Sequence, residues 1–217
     1  TVKYGQITAV REISFEVKKG EIACIVGPNG AGKSTTLLTI SGVLKPSNGD
    51  IDLDNNTIAG LSPEQIAGLG VTQVPEGRHI FTSLTVEENL KVGAALRNDK
   101  DNIAQDIERI TTLFPILGER KQQQAGKLSG GEQQMLTLCR TLMGDPDLVM
   151  IDEPTEGLAP KIVEQMAELF EEIKKRGVSI LLVDHTSSLS PIGIEENYLG
   201  NESKDPQVIY KFKKTKY

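Results

Sequence analysis

The chain has 217 residues, of which 38% are hydrophobic and 25% charged, and this composition predicts a globular protein that buries a sizeable core. Its formal net charge of −6 argues against general nucleic-acid binding, because that requires a basic surface to displace counterions. No apolar stretch approaches the roughly 18 to 20 residues that a membrane-spanning helix requires, and no signal peptide is visible.

Several short segments have the apolar patterns of β-strands. Residues 12–17 (EISFEV) and 49–54 (GDIDLD) alternate between apolar and polar side chains, which predicts half-buried strands, the second of them short and antiparallel. Continuous apolar runs predict fully buried strands, and these runs cover residues 21–27, 69–75, 147–153 and 178–185.

A helix is predicted between the last two buried strands. Apolar residues recur at helical spacing from Ile162 to Ile173, and Gly177 follows as a C-terminal cap. A strand, a helix and a second strand at this spacing predict a parallel βαβ unit.

The middle of the chain, residues 82–143, has helical apolar spacing and lacks buried-strand runs. Thr85 and Glu88 predict a capping box at the start of one helix, and further helices are predicted over 101–114 and 130–143. The sequence therefore predicts an α/β fold with a mostly parallel sheet, an N-terminal antiparallel β subdomain and an inserted helical subdomain.

A glycine-rich segment, GPNGAGKST at residues 27–35, connects the first buried strand to a helical TTLLTI segment. It fits G-x-x-x-x-G-K-[ST], the phosphate loop of P-loop NTPases, whose backbone N–H groups and following helix bind phosphate oxygens. Lys33 would place a cation at the β- and γ-phosphates, and Ser34 can ligate Mg²⁺. The candidate nucleotide-binding residues of this loop are Gly27, Pro28, Asn29, Gly30, Ala31, Gly32, Lys33, Ser34 and Thr35.

Two adjacent carboxylates, Asp152 and Glu153, end the buried strand predicted at 147–153. A doubly wound sheet places its ligands at such strand ends. Asp152 is predicted to hold Mg²⁺ through water, and Glu153 to orient the attacking water or accept its proton. The alternative is a solvated turn in which Pro154 ends the strand.

A third segment, LSGGEQQ at residues 128–134, opens a helix of the insertion. Ser129 and Glu132 predict a capping box, which by itself would explain the spacing. The two glycines also remove side chains from the helix start, so that backbone donors there can approach an anion closely.

In this order and spacing, the three segments resemble the ATP-binding-cassette (ABC) ATPase family, over about residues 1–185. The resemblance implies a head-to-tail dimer that holds two ATP molecules, with Mg²⁺, at its interface. LSGGEQQ, the signature segment, would face the phosphate loop of the other subunit, so that Ser129, Gly130 and Gly131 contact the partner's γ-phosphate. This chain alone would then hold half-sites.

Other family positions are carried over one by one. Tyr4 stands where the family places an aromatic that stacks on adenine, with an ordinary surface tyrosine as the alternative. Glu76, rather than Gln73, stands at the loop glutamine, where its carboxylate can contact Mg²⁺ or water. His185 stands at the switch histidine, which would hydrogen-bond the γ-phosphate and help to fix the attacking water. Ala159 replaces an Asp that most relatives have, so that cross-dimer carboxylate is missing.

The segments VPEGR and GLAP resemble the ATPase subunits of high-affinity branched-chain amino acid importers, with urea and short-amide importers as close relatives. The resemblance implies a peripheral ATPase at the cytoplasmic face of the inner (plasma) membrane. Its implied partners are a second ATPase subunit, transmembrane permease subunits and, indirectly, an extracytoplasmic solute-binding protein, and no nucleic acid. A non-transport cassette and a nucleotide-binding module with little hydrolysis are the alternatives.

The resemblance also implies the domain boundaries. Residues 1–81 and 144–187 are expected to form the ATPase core, and 82–143 the helical subdomain. After His185 the family continues through a helix and two more strands, which this chain lacks, so residues 188–217 are expected to be a truncated or gapped tail. Such a tail would leave the sheet edge poorly covered. The lysine-rich end is interpreted as a solvated tail, with a membrane-surface contact as the alternative.

Overall fold

A computed structural model describes residues 1–155 and 157–184, together with the backbone of two later strands. The strands are β1 (Val2–Tyr4), β2 (Ile7–Val10), β3 (Ile22–Val26), β4 (Asp52–Leu53), β5 (Asn56–Thr57), β6 (Val71–Val74), β7 (Leu148–Asp152), β8 (Ser179–Asp184), β9 (Asn197–Tyr198) and β10 (Val208–Lys211). The helices are α1 (Lys33–Ile40), α2 (Pro63–Gly68), α3 (Val86–Gly93), α4 (Lys100–Leu113), α5 (Pro115–Glu119), α6 (Gly130–Leu142) and α7 (Pro160–Lys175), and Ala125–Lys127 form a 3₁₀ helix.

Six strands form one sheet in the order β6-β7-β8-β3-β10-β9. The first four run parallel, whereas β10 is antiparallel to both β3 and β9. The predicted α/β fold with a mostly parallel sheet is therefore confirmed, and the hairpins β1–β2 and β4–β5 supply antiparallel pairs in the N-terminal part. Because parallel strands end at the same edge of a sheet, the polar residues that follow them lie together there.

Core side chains cover both faces of the central strands, which explains their continuous apolar sequences. Cys24, Ile151 and Leu182 pack on one face, in a cluster that also contains side chains of α6 and α7. Ile25 and Met150, their neighbours along the strands, pack on the other face with side chains of α1 and α2. The sheet is thus the middle layer of a three-layer core.

The prediction of a strand at residues 12–17 is wrong, because the chain forms no strand there. Ile13, Phe15 and Val17 are half-buried while the residues between them are exposed, so the alternation correctly indicates which side chains face the core. Glu12 has a left-handed φ of 47° and turns the chain away from β2. Within the described part of the chain, no strand pairs with this backbone. The prediction failed because an alternating pattern indicates which side chains are buried but not whether the backbone pairs with another strand.

The antiparallel strand predicted at 49–54 is confirmed but shorter than expected. Only Asp52 and Leu53 form it, and they pair with β5 across a two-residue turn. Asp54 and Asn55 occupy this turn with φ of 48° and 63°, the left-handed values that a type I′ hairpin requires.

Helices fill the insertion between residues 82 and 143, as predicted. α3, α4 and α6 correspond to the three expected helices, and the capping boxes at Thr85 and Ser129 are both present. α4 ends at Leu113, since a helix does not continue into the residue before a proline. Pro115 then starts α5, a short helix that the sequence pattern does not predict.

Two polar side chains hold the insertion together from inside. Asn89 is fully buried, accepts the N–H of Phe81 at 2.9 Å and donates to its carbonyl at 3.0 Å, which fixes the segment that leads into α3. Arg97 donates to the carboxylate of Asp106 at 2.8 Å and to the carbonyl of Met143 at 3.0 Å. These contacts tie the loop after α3 to α4 and to the end of α6.

The last βαβ unit follows the prediction, and the region after it differs. The N–H of Gly177 donates to the carbonyl of Lys174 at 2.9 Å with φ of 81°, so it caps α7 as expected. The expectation of a wholly solvated tail is wrong, because Val208–Lys211 form β10 and pair with β3. Val, Ile and Tyr favour strands, and they pair with backbone groups of β3 that would otherwise lie at the edge of the sheet. The edge of β3 is therefore covered. Among the described residues, no helix is long and apolar enough to cross a membrane.

We predict that Gly93→Ala destabilises the fold. A Cβ at Gly93 in α3 would lie 2.0 Å from the carbonyl oxygen of Arg140 in α6, so the two helices would have to separate. We expect a loss of about 1–3 kcal/mol in the free energy of unfolding, measured by urea titration.

The matched control is Gly68→Ala in α2. A Cβ at Gly68 meets nothing within 4 Å, so this exchange should be neutral or slightly stabilising. Equal stability of the two variants would contradict the importance of the close approach of α3 to α6.

Candidate functional site

The phosphate loop, residues 27–35, connects β3 to α1 at the carboxyl edge of the sheet. Gly30 and Gly32 have φ of 81° and 88°, a backbone that glycine adopts at little cost. Gly32 is the N-cap of α1, which has no capping side chain and no acidic residue in its first turn. By contrast, α2, α3 and α6 all begin with capping boxes. The start of α1 therefore has no side chain of its own that would compete with an anion.

Lys33 is held inside the curve of this loop. Its side chain is 4% exposed, and Nζ donates to the carbonyl oxygens of Gly27 at 2.8 Å and Pro28 at 3.1 Å. The N–H of Ala31 also donates to the carbonyl of Pro28, at 3.2 Å. The loop thus closes around an ammonium group, as a phosphate-binding site requires.

An open pocket of about 400 Å³ lies over the loop. Two carboxylates, Glu76 and Glu153, line it from the neighbouring strands β6 and β7. The remaining lining residues are Ala9, Asn29, Gly30, Gly32, Lys33, Ser34 and Thr35. Eight of the sequence-predicted site residues therefore lie together here, whereas Ala9 of β2 was missed because its small apolar side chain gives no chemical signal.

Asp152 and Glu153 lie where β7 ends. Asp152 is 4% exposed, and the N–H of Glu153 donates to the carbonyl of Val183 in β8 at 2.9 Å. Glu153 has a left-handed φ of 49°, which is uncommon for a residue with a Cβ and is typical of functional sites. At this turn the chain leaves β7, and Glu153 lines the pocket directly after the strand.

A third strand-end carboxylate was not assigned a role from the sequence. Asp184 ends β8 and is 5% exposed, and its Oδ2 accepts the hydroxyl of Thr155 at 3.2 Å. The same signal that indicates Asp152, a carboxylate at the end of a buried strand, could have found it. The contact joins the loop after Glu153 to β8.

Glu76 and Gln73 lie in different environments. Gln73 is part of β6 and pairs with Met150 of β7, whereas Glu76 lies in the loop after that strand and lines the pocket. His79 hydrogen-bonds the carbonyl of Glu76 at 2.8 Å and closes the loop into a turn.

The oxygen donors near the loop suit Mg²⁺, which prefers one or two protein oxygens together with phosphates and water. Of the predicted metal ligands, Ser34 and Glu76 line the pocket, whereas Asp152 is buried at the end of β7 and is not among the lining residues. No cluster of three or more His, Cys, Asp or Glu that could hold a metal occurs in residues 1–155 and 157–184.

The signature segment lies elsewhere on this chain, and Ser129, Gly130 and Gly131 do not line the pocket. The Oγ of Ser129 accepts the N–H of Glu132 at 3.4 Å, and the Glu132 carboxylate accepts the N–H of Ser129 at 2.7 Å. The capping-box interpretation is therefore correct for this structure. Because a hydroxyl carries one donor besides its acceptor positions, Ser129 can still donate to an anion.

The remaining predicted residues lie at the margins. Tyr4 on β1 is 49% exposed and is not among the residues that line the pocket. Ala159 is the exposed N-cap of α7, and its methyl side chain makes no capping hydrogen bond to the helix. His185 lies outside the described residues.

Comparisons with known proteins identify the family of this chain. A family model described as ABC transporter matches residues 10–156, more than half of the chain. The chain belongs to the ABC transporter family. This confirms the predicted family, and the ATP-binding subunits of branched-chain amino acid transporters are among the similar proteins.

The curated relatives extend over most of the chain. The high-affinity branched-chain amino acid transport ATP-binding protein BraG of Pseudomonas aeruginosa is 44% identical over 185 residues, which cover 85% of this chain and 79% of BraG. The high-affinity branched-chain amino acid transport ATP-binding protein LivG of Escherichia coli K12 is 32% identical over 204 residues, which cover 87% of this chain and 80% of LivG.

Solved structures agree with the fold. The ADP conformation of MJ1267, an ATP-binding cassette of an ABC transporter, matches with a TM-score of 0.76 and 27% identity, covering 90% of this chain and 83% of MJ1267. The structure of cbiO1 from Clostridium perfringens, part of the ABC transporter complex cbiONQ, matches with a TM-score of 0.72 and 29% identity, covering 82% and 72% of the two chains.

We predict that Lys33→Met weakens ATP binding by about tenfold or more, because a charge-assisted hydrogen bond to phosphate is lost. Isothermal titration calorimetry measures the effect. Lys45→Met, at an exposed lysine beyond α1, is the control and should bind like the parent chain. Unchanged affinity in Lys33→Met would contradict the assignment of the phosphate loop.

Proposed function

We propose that this chain is the ATP-hydrolysing subunit of an ABC importer for branched-chain or related amino acids. The observation that carries the proposal is the pocket in which the phosphate loop meets two carboxylates from neighbouring strand ends. The substrate class is supported by BraG and LivG, whose names describe branched-chain amino acid transport.

Binding of ATP uses the loop and the start of α1. Backbone N–H groups from Gly30 to Thr35 converge on the β-phosphate, and the positive end of α1 favours the negative charge. Lys33 adds a full charge from inside the loop. Gly27, Pro28 and Ala31 act through the backbone that shapes this cradle. Tyr4 stacks on the adenine ring in this proposal, from the hairpin that also carries Ala9.

Mg²⁺ neutralises charge on the β- and γ-phosphates when it is bound. Ser34 would hold it directly, Asp152 through water, and Glu76 directly or through water. Burial of Asp152 under the strand ends keeps its carboxylate in one position, which is what a positioned ligand requires.

Hydrolysis transfers the γ-phosphoryl group to water, and this reaction needs positioning and charge stabilisation more than covalent chemistry. Glu153 lines the pocket and is proposed to orient the water and accept its proton. His185, which follows β8 in the sequence, is proposed to hydrogen-bond the γ-phosphate. This role rests on the sequence resemblance.

A second subunit completes each site in this proposal. Ser129, Gly130 and Gly131 lie outside the pocket of their own chain, so they are available to a nucleotide that a partner binds. ATP would close the head-to-tail dimer, and hydrolysis would reopen it. The helical insertion would transmit this motion to permease subunits at the cytoplasmic face of the membrane, and a solute-binding protein would act on the other side.

We predict that Glu153→Gln binds ATP with near-normal affinity and hydrolyses it at least about a hundredfold more slowly, because the amide cannot accept a proton. Phosphate release and nucleotide binding are measured separately. Glu168→Gln, an exposed carboxylate on α7, is the control and should turn over ATP normally. Near-normal turnover in Glu153→Gln would reject its assignment as the base, and absent turnover in the parent chain would favour a binding module.

The solute class is tested in the assembled transporter. We expect the chain to co-purify with its permease subunits and to support uptake of labelled leucine, isoleucine or valine into a host that lacks these importers. The same assembly with Glu153→Gln should lose uptake. Transport of urea or a short amide instead would assign the chain to that related importer group.

A further inference from the structure

The loop after β6, residues 75–79, touches two different parts of the molecule. Glu76 lines the phosphate pocket, and Arg78 lies against Gly130, the first residue of α6. A Cβ placed on Gly130 would lie 2.4 Å from Cζ of Arg78 and 2.5 Å from each of its Nη atoms. The guanidinium therefore occupies space beside the signature segment that only a glycine leaves open.

The local fold holds Arg78 in this place. The hydrogen bond between His79 and the carbonyl of Glu76 closes the loop, and Gly77 adopts a φ of 94° that other residues rarely adopt. Asn89 fixes the next stretch through both backbone groups of Phe81. The position of Arg78 is thus set by contacts on its C-terminal side and by β6 on its N-terminal side.

The charge of Arg78 is unusual for this position. A helix N-terminus carries partial positive charge, so a cation beside it is unfavourable unless an anion is also present. Glu132, the acidic residue in the first turn of α6, already accepts from Arg120 at 3.1 Å and from the N–H of Ser129. Among the described residues, the Arg78 guanidinium makes no hydrogen bond or ion pair. The arrangement favours an anion that binds beside both the arginine and the helix start.

We propose that Arg78 is a phosphate ligand of the composite site, donating to the γ-phosphate that the signature segment of its own chain contacts on the partner. This rests on the proposed function, in which Ser129 to Gly131 face a partner's nucleotide. A guanidinium presents a planar pair of N–H donors that matches two phosphate oxygens. Since Glu76 belongs to the chain's own pocket, one short loop contributes to both sites of the dimer.

The test measures ATP-dependent dimerisation in chains that carry Glu153→Gln, which holds ATP without turnover. Analytical ultracentrifugation gives the ATP concentration at half-maximal dimerisation. Arg78→Met, which keeps length and apolar contact, should raise this concentration by about tenfold or more, and Arg78→Lys should lie between Arg78→Met and the parent. ATP affinity of the dilute monomer and the nucleotide-free melting temperature should stay unchanged, since Arg78 is exposed and acts on the partner's nucleotide.

Arg109→Met is the charge-matched control, because Arg109 is an exposed arginine of α4 that pairs with Asp106 on the same helix. It should dimerise like the parent. If Arg78→Met dimerises at the same or a lower ATP concentration, the arginine is a packing or blocking residue and the proposal is wrong. If the Glu153→Gln parent binds ATP but does not dimerise, the head-to-tail dimer of the proposed function fails, and the role of Arg78 fails with it.

Discussion

The parallel register of β3, β8 and β7 determines where chemistry can occur in this protein. Val26 pairs with Asp184, and Asp152 pairs with Val183, so the three strands end within a residue of one another. A slip of one strand by one residue would exchange the side chains on its two faces, and because the two faces pack against different helices, this register is favoured. The hydrogen bond from Glu153 to Val183 extends the ladder past the strand end. The phosphate loop and the carboxylates are therefore positioned by the core and not by one another.

Two kinds of helix start divide the proposed site. α1 begins at a left-handed glycine with no capping side chain, so no side chain of its own occupies the start of the helix. α6 begins with Ser129 and Glu132 in a capping box, so its start is satisfied before any nucleotide arrives. In the proposed dimer, the first site gains order from its own ATP, whereas the second is a preformed surface that a partner's ATP meets.

Much of the fold could be predicted because burial leaves a strong trace in the sequence. Continuous apolar runs identified β3, β6, β7 and β8, and a spaced glycine–lysine motif identified the loop between β3 and α1. The error at residues 12–17 has a physical reason, because alternation reports which side chains are buried and not whether the backbone finds a partner strand. The order of strands in the sheet was likewise beyond the sequence pattern, since pairing depends on contacts far apart along the chain.

Some residues of the candidate site could likewise be predicted from the sequence, and others could not. Glu153 stood out because a carboxylate at the end of an apolar strand is chemically conspicuous, whereas Glu76 was found through the resemblance to the family's loop glutamine, and both line the pocket. Ala9 and the contact between Arg78 and Gly130 left no such trace. An alanine offers no reactive group, and the sequence says only that a side chain is absent at Gly130, not which residue fills the space.

The left-handed backbone at Glu153 lowers the stability of the fold at a residue whose side chain is proposed to take part in hydrolysis. Such a conformation costs about 1–3 kcal/mol when the residue has a Cβ, and the ladder contact with Val183 helps to enforce it. A glycine would relax this strain but would remove the carboxylate. The fold is thus locally strained at the residue proposed to activate water, and in that proposal an exchange that relieves the strain would also remove the catalytic carboxylate.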